Sequence, residues 1–261
     1  MKLDGKVLLL TGGSAGIGRC LAVELARRGA RLILLGRSRD GLEESRALLP
    51  PGTASILVGD LSDLASLPGL ATAAEQAFGQ LDGLVNNAGY APFRSFDSED
   101  PASIELLLRT NLIAPMTLTR LLLPGLRRRP EALISFTGSV FGSIGFPFYA
   151  SYSASKFALR GFAEALGREL HDSRIHILYA APRATRTRLT AGLDEMAVAT
   201  KMNIDPPELV AARIAAAIDQ DRKRITIGFP ESLFVKVNGA FPSLVDSALA
   251  KQANLMKPYA Q

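Results

Sequence analysis

The sequence predicts an α/β fold: a doubly wound, seven-stranded parallel sheet with helices on both faces, followed by a C-terminal helical extension. Short continuous apolar runs alternate with amphipathic stretches along the chain, as expected for parallel strands covered on both faces and joined by helices. A glycine-rich segment directly follows the first apolar run. The 261 residues, 48% of them hydrophobic, suit one large core. We therefore expect a single domain over 1–261, with its core at 3–228 and the extension at 229–261.

Composition excludes several classes of function. The net charge of +5 comes without a basic stripe interleaved with aromatic residues, so no nucleic-acid partner is expected. Cys20 is the only cysteine, which rules out an internal disulfide and favours a reducing compartment. No signal peptide or apolar run of membrane-spanning length is recognised, so a soluble cytoplasmic protein is expected. His171 and His176 lack further ligands at suitable spacing, so we expect no metal site.

The first apolar run, at 6–11, predicts a buried strand, and the glycines in TGGSAGIG that follow allow a tight turn and close approach of the backbone to a pyrophosphate. An amphipathic helix then runs to Gly29. This strand–turn–helix context favours a dinucleotide site over the alternative, a tight connection without a ligand. The residues expected to contact the dinucleotide here are Gly12, Ser14, Ala15, Gly16, Ile17 and Gly18.

The second predicted strand, 31–38, ends where such a fold recognises the adenosine ribose. An acidic residue there selects NAD, but this chain has Arg37 and Ser38 and no carboxylate at that point. A guanidinium suits a 2′-phosphate, so the sequence favours NADP(H). The alternative is that Arg37 only begins a solvated loop.

Polar residues end the third and fourth predicted strands, in ASILVGDL and LDGLVNNAG. Strand ends of a parallel sheet line the ligand crevice. Asp60 and Leu61 are thus expected near the adenine, and Asn87, Ala88 and Gly89 near the ribose. As alternatives, Asp60 caps a helix that begins near Ser62, and Asn86 ties neighbouring strands together.

The fifth predicted strand, 132–138, delivers Ser139, and a helical stretch beyond it carries Tyr152 and, four residues later, Lys156. At that spacing the phenol and the amine project from one helix face. We expect the ammonium to lower the pKa of the phenol and make it a usable general acid, while Ser139 hydrogen-bonds the substrate oxygen. Tyr149 has no lysine at this spacing. The pair alone is a weak motif, because it also occurs by chance on solvated helices.

Together, TGGSAGIG, Asp60, NNAG, Asn111, Ser139, YSASK and Pro182 resemble the short-chain dehydrogenase/reductase family in its classical type, over about residues 3–190. The resemblance implies a Rossmann-type sheet and a homodimer or homotetramer. It also implies that Asn111 holds a water that relays protons to Lys156, and that Pro182, Thr185 and Thr187 contact the cofactor. From residues alone, Asn111 would be a helix kink or a buried backbone contact. Arg183 replaces the family's glycine; it either attracts an acidic group of the substrate or points to solvent, and we expect the latter.

A sixth strand before Pro182 and a seventh in KRITIG complete the predicted sheet, and 188–204 corresponds to the family's substrate lid. The side chains expected to line it are Leu189, Leu193, Met196, Val198 and Met202. The extension predicts two amphipathic helices broken near Pro242. They would roof the pocket, pack on a sister subunit, contact a membrane peripherally or cap the sheet.

The sequence thus predicts an NADP(H)-dependent oxidoreductase that interconverts a carbonyl and an alcohol on an apolar small-molecule substrate. In it Tyr152 is the general acid, Lys156 also grips the nicotinamide ribose, and Ser139 and Asn111 assist. Two alternatives stay open at this stage. One is oxidation of a hydroxy-lipid or polyketide intermediate, and the other is an NADP(H)-binding regulatory protein without turnover.

Overall fold

A computed structural model describes residues 1–260 and contains one seven-stranded sheet in which every strand pair is parallel. The order across the sheet is β3-β2-β1-β4-β5-β6-β7. The chain therefore starts near the middle, builds one half and then crosses to build the other, which is the doubly wound arrangement. The strands are β1 (Val7–Thr11), β2 (Arg31–Gly36), β3 (Ala54–Val58), β4 (Gly83–Asn86), β5 (Ala132–Thr137), β6 (Ile175–Pro182) and β7 (Arg224–Ile227). All seven coincide with predicted strands, so the predicted fold class is confirmed.

Helices cover both faces of this sheet because alternate strand residues point to opposite sides. Leu9 and Ile33 pack with the helices that follow β3, β4 and β5, whereas Leu8 and Leu34 pack with the helices that follow β1 and β2 and with the last helix before β7. The helices up to the last strand are α1 (Gly16–Ala26), α2 (Arg39–Ala47), α3 (Leu67–Gln76), α4 (Pro101–Leu108), α5 (Ala114–Arg127), α6 (Ala150–Glu169), α7 (Asp194–Ala199) and α8 (Pro207–Asp219). Continuous apolar runs such as VLLL are thus the sequence signature of burial on both faces.

The extension forms two helices, α9 (Glu231–Ala240) and α10 (Pro242–Met256), so the predicted break near Pro242 is confirmed. Met256 is fully buried against Tyr149 and Met196. Gln252 donates to Thr200 O at 3.2 Å. The extension therefore packs on the lid region, while Phe234 on its outer side stays about half exposed, at 48%.

One helical run within residues 1–260, Pro101–Arg127, is long and apolar enough to span a membrane by length and composition alone. The expectation that no segment reaches that length is therefore wrong. The core helix of a globular protein passes the same test, and here Leu107, Leu118 and Leu122 are completely buried in the protein. One side of this run therefore packs in the core of the fold, while Leu106, Ile113 and Met116 on the rest of it are exposed.

Candidate active site

The glycine-rich turn between β1 and α1 packs so tightly at Gly12 and Gly18 that no side chain fits at either position. A Cβ on Gly12 would lie 2.9 Å from Ala88 Cα, and one on Gly18 would lie 2.0 Å from Gly12 O. Gly12 and Gly16 also adopt positive φ angles of 69° and 53°, which glycine tolerates best. Arg19 donates to Ser14 O at 2.7 Å and holds the turn from behind. The turn thus presents bare backbone at the amino end of α1, as a phosphate cradle requires.

The end of β4 is tied to its neighbours through Asn87. Its Nδ2 donates to Thr11 O at 3.1 Å, and its Oδ1 accepts from Thr137 Oγ1 at 3.3 Å. Thr11 Oγ1 also accepts the backbone N–H groups of Asn87 and Ala88 at 2.9 and 3.0 Å. Asn87, and not Asn86 as considered above, therefore links the neighbouring strands. The buried side-chain amide of Asn86 makes no hydrogen bond within the protein.

At the adenosine end, Arg37 and Asp60 both line the cleft, but Ser38 does not. Ser38 Oγ accepts from Gly41 N at 3.1 Å and caps α2, and its cofactor contact stays a prediction. Asp60 Oδ1 accepts from the backbone and the hydroxyl of Ser62 at 2.9 and 2.8 Å. Burial raises the pKa of Asp60, but these bonds and the Arg37 guanidinium outweigh burial and hold the pKa below its ordinary value. The turn at Ser62 is no helix start, because α3 begins at Leu67.

Ser139 follows β5 and is buried, with its Oγ accepting Phe141 N at 3.1 Å. Its hydroxyl hydrogen stays available to donate. The loop rests on the buried ring of Tyr179: a Cβ on Gly138 would lie 2.1 Å from Tyr179 Cζ, and one on Gly142 would lie 2.5 Å from Tyr179 Oη. Tyr179 Oη also donates to Lys156 O at 3.4 Å. One ring thus supports both the serine loop and the helix opposite.

Tyr152 and Lys156 lie in the first two turns of α6. Lys156 is buried, donates from Nζ to Thr137 O at 3.0 Å, and lies 5.7 Å from the centre of the Tyr152 ring. Burial lowers the pKa of Lys156 to about 8. Burial also raises the pKa of Tyr152, and Ser139 acts in the opposite direction. In the protein by itself the pKa of Tyr152 therefore lies above that of a free phenol, so the expected net lowering is not found and the phenol is protonated at neutral pH.

Asn111 lies one layer behind the cleft, in a π-helical turn at Arg109–Ile113 between α4 and α5. Its Oδ1 accepts Tyr90 N at 2.8 Å, and its Nδ2 donates to Tyr90 O at 2.8 Å and to Ser155 Oγ at 3.2 Å. The distorted helix and the buried backbone contact expected from residues alone are both present. Asn111 Oδ1 and Lys156 Nζ flank Gly89, since a Cβ there would lie 3.6 and 3.8 Å from them.

One cleft of about 420 Å³ joins the glycine-rich turn to the Ser139 loop and α6. Every site residue predicted from the sequence lines it except Ser38 and Asn111. The predicted residues at the cleft are Gly12, Ser14, Ala15, Gly16, Ile17, Gly18, Arg37, Asp60, Leu61, Asn87, Ala88, Gly89, Ser139, Tyr152, Lys156, Pro182, Thr185 and Thr187. A cleft that runs from the glycine-rich turn to Ser139 and α6 fits a dinucleotide.

The far end of the cleft is apolar. Sequence reasoning missed Phe141, Tyr149 and Ile204 as lining residues; Phe141 could have been found from its position two residues after Ser139. Burial raises the pKa of Tyr149 to about 12. From the lid, Leu189, Leu193 and Met202 line the cleft as predicted. Val198 and Met196, which were also expected to line the cleft from the lid, do not line it. Val198 is 80% exposed, and Met196 is buried against Tyr149 and Met256.

Arg183 does not point to solvent. It forms ion pairs with Asp205 and Glu231, so that expectation is wrong, and four of its five N–H donors are used inside the protein. Nearby, a Cβ on Gly16 would lie 2.9 Å from Thr187 Cγ2. The loop after β6 therefore closes over the glycine-rich turn.

Among residues 1–260, no group of three or more histidine, cysteine or acidic side chains is arranged to hold a metal ion.

Comparison with known proteins agrees with this geometry. A family model described as short chain dehydrogenase matches residues 6–197. "Dehydrogenase/reductase SDR family member 7B" of Bos taurus is 31% identical over 95% of this chain and 81% of its own length. "Ketoacyl reductase HetN" of a Nostoc species is 33% identical over 86% of this chain and 79% of its own. "3-Ketodihydrosphingosine reductase" of Bos taurus is 28% identical over 87% and 73%.

Solved structures show the same fold. A short chain dehydrogenase/reductase from Burkholderia phymatum, in complex with NAD, has a TM-score of 0.85 at 23% identity and covers 94% of this chain and 96% of its own. The 3-ketoacyl-(acyl-carrier-protein) reductase from Brucella melitensis, complexed with NADH, has a TM-score of 0.80 at 24% identity and covers 88% and 99%.

Proposed function

The chain belongs to the short-chain dehydrogenase family of oxidoreductases, and from this premise we propose that it reduces the carbonyl group of an apolar ketone or aldehyde with NADPH. The observation that carries the proposal is the single cleft in which Ser139, Tyr152 and Lys156 lie beside a turn of bare backbone. That arrangement combines a dinucleotide cradle with a proton donor and a hydrogen-bond donor for the substrate oxygen.

In the proposed reaction, the substrate carbonyl oxygen lies between Ser139 Oγ and Tyr152 Oη. When bound, NADPH supplies the hydride that goes to the carbonyl carbon. Ser139 donates a hydrogen bond as negative charge builds on the oxygen, and Tyr152 Oη transfers its proton to that oxygen, leaving a phenolate. The Lys156 ammonium stabilises this phenolate by its charge. Asn111, behind Gly89, serves the proton supply to Lys156.

The proposed direction is reduction. The protonated phenol of Tyr152 can donate the proton that reduction consumes, and two relatives are named as reductases. The preference for NADP(H) is supported by Arg37 at the adenosine end and by the absence of a carboxylate at positions 36–39. The Asp60 carboxylate already accepts two hydrogen bonds from Ser62, and its lowered pKa keeps it ionised.

The apolar end of the cleft supports a hydrophobic substrate, with Phe141, Leu193 and Met202 against the substrate's chain. Two relatives are named for carbonyls on fatty chains, a ketoacyl reductase and a 3-ketodihydrosphingosine reductase. We therefore propose a ketone on an acyl or alkyl chain. A cytoplasmic location, homo-oligomerisation and peripheral membrane contact through α9 and α10 stay predictions.

A turnover screen tests the proposal. NADPH consumption is followed with 3-oxoacyl thioesters and simple ketones of graded chain length, and NADH is run in parallel. We expect kcat/KM to rise with chain length and to be at least about tenfold higher with NADPH. Absence of turnover with every carbonyl, while NADPH still binds, would favour the regulatory alternative. A preference for NADH would overturn the assignment of the cofactor.

A further inference from the structure

The substrate lid, residues 188–204, lies in a loop, residues 186–204, whose two ends meet at a narrow neck. Thr185 and Asp205 pair as a short parallel bridge. The bridge is held by Asp205 N donating to Ala184 O and Arg186 N donating to Asp205 O, both at 2.9 Å. Leu189, Leu193 and Met202 line the cleft from the loop that this neck closes.

The Arg183 side chain binds Asp205, one of the two residues that form the neck. Its Nε and Nη2 donate to the two carboxylate oxygens of Asp205 at 3.0 and 2.6 Å. The Asp205 side chain is 8% exposed and that of Arg183 is 16% exposed. A two-pronged guanidinium–carboxylate pair of this kind fixes the orientation of both partners as well as their separation.

The same guanidinium reaches the C-terminal extension. Arg183 Nη1 donates to Phe229 O and to Glu231 Oε2, both at 2.9 Å. Gly228 is shaped around this side chain, since it has φ +112° and a Cβ there would lie 2.5 Å from Arg183 Cδ. The arginine therefore occupies a built position between the neck and the first residue of α9.

We propose that Arg183 is a positioning residue that fixes the neck of the substrate lid and couples the lid to the C-terminal extension through Asp205 and Glu231. The inference rests on the proposed function for its catalytic readout. Arg183 sets the apolar wall against which the substrate chain packs, while the transferred atoms meet Ser139 and Tyr152 elsewhere in the cleft. Loss of Arg183 thus weakens substrate binding more than it slows the chemical step.

The test compares Arg183→Gln with Arg129→Gln. Arg129 forms a matched ion pair with the buried Asp82, at 2.7 Å, and Asp82 also accepts Val7 N at the amino ends of the strands, away from the cleft. Both variants leave one buried carboxylate without its guanidinium, so they share the general cost of a broken pair. Only Arg183→Gln is expected to raise KM about tenfold, the equivalent of about 1.4 kcal/mol, with kcat within about threefold of wild type.

Trypsin gives a readout that needs no turnover. Arg186, Arg188 and Lys201 are exposed trypsin sites between the two ends of the neck, and opening of the neck frees the backbone around them to enter the protease. We expect Arg183→Gln to speed cleavage at these sites about tenfold, Arg183→Lys to recover part of the protection, and Glu231→Gln to have an intermediate effect. Equal lid cleavage in Arg183→Gln and Arg129→Gln would overturn the inference. Equal KM values for these two variants would also overturn it. Failure of the wild type to turn over any carbonyl would contradict the proposed function alone.

Discussion

Replacing Tyr152 by phenylalanine removes one oxygen and keeps the ring. The ring packs edge-on against Phe141 and Tyr149, with centroids 6.2 and 6.0 Å away, and phenylalanine preserves both contacts. The lost hydroxyl is the proposed proton donor. Ser139 is the other hydroxyl proposed to meet the oxygen, but an aliphatic hydroxyl is a far weaker acid, and the phenol of Tyr149, which also lines the cleft, is tested separately.

The expected loss follows from two separate contributions. A positioned general acid contributes about 10²–10⁴ in rate, and a hydrogen bond to the developing oxyanion about 10²–10³. Because Ser139 keeps part of the second contribution, we expect kcat to fall by at least about 10³, which is about 4 kcal/mol of transition-state stabilisation. NADPH affinity should stay within about threefold, since the cradle at Gly12–Gly18 is untouched.

The assay measures NADPH consumption at saturating ketone and, separately, the NADPH dissociation constant by fluorescence. Tyr149→Phe is the comparison, because it makes the same chemical change on a buried ring three residues earlier, without a lysine four residues on. We expect that variant to alter KM for long substrates while keeping kcat within about fivefold. If Tyr152→Phe retains more than about a tenth of wild-type kcat, or if both variants lose kcat equally, the assigned proton donor is wrong.

Three further changes test the remaining parts of the site. Arg37→Asp should weaken NADPH binding at least about thirtyfold and NADH binding less than about threefold; a constant ratio of the two affinities in titrations would contradict the 2′-phosphate contact. Burial lowers the pKa of Lys156 from 10.5 to about 8, so between these pH values the unfolded chain binds more protons and the free energy of unfolding should rise with pH. Lys156→Met should remove about 3 kcal/mol of that rise. The free energy of unfolding is measured by denaturant titration at each pH, and an equal rise in wild type and variant would refute the prediction. Gly142→Ala places a methyl 2.5 Å from Tyr179 Oη and 2.7 Å from Lys156 O, so it should destabilise the protein by about 1–3 kcal/mol and lower kcat through Ser139. Unchanged melting temperature and kcat would show that the loop adapts.

The sheet and the cofactor end of the cleft were predictable because their signals are local. A strand covered on both faces must be apolar at successive positions, as VLLL is in β1, and a turn that admits no side chain must contain glycine, as at Gly12 and Gly18. The spacing of Tyr152 and Lys156 likewise needs only the period of a helix. In each case a few consecutive residues contain the whole constraint.

Arg183 was mispredicted because its partners are distant in sequence. Asp205 is 22 residues away and Glu231 is 48, and no local pattern says that an arginine after a strand will meet either of them. The predicted direction of the Tyr152 pKa shift was wrong for a related reason. The spacing places an amine near the phenol, but burial, which depends on the whole fold, dominates the pKa.

Asn111 shows how a local distortion can set a site that the sequence only hints at. In an ideal helix, each backbone N–H donates four residues back, and one extra residue in the turn, as at Arg109–Ile113, shifts the helix face by one position. In this turn the Asn111 side chain bonds the N–H and C=O of Tyr90 at 2.8 Å each and Ser155 Oγ at 3.2 Å. Alanine at 111 would leave the two part-buried backbone groups of Tyr90 without this partner, at a cost of about 1 kcal/mol each. The asparagine therefore fixes the backbone just beyond Gly89 and the helix turn that carries Lys156, and both sides of the cleft depend on one amide.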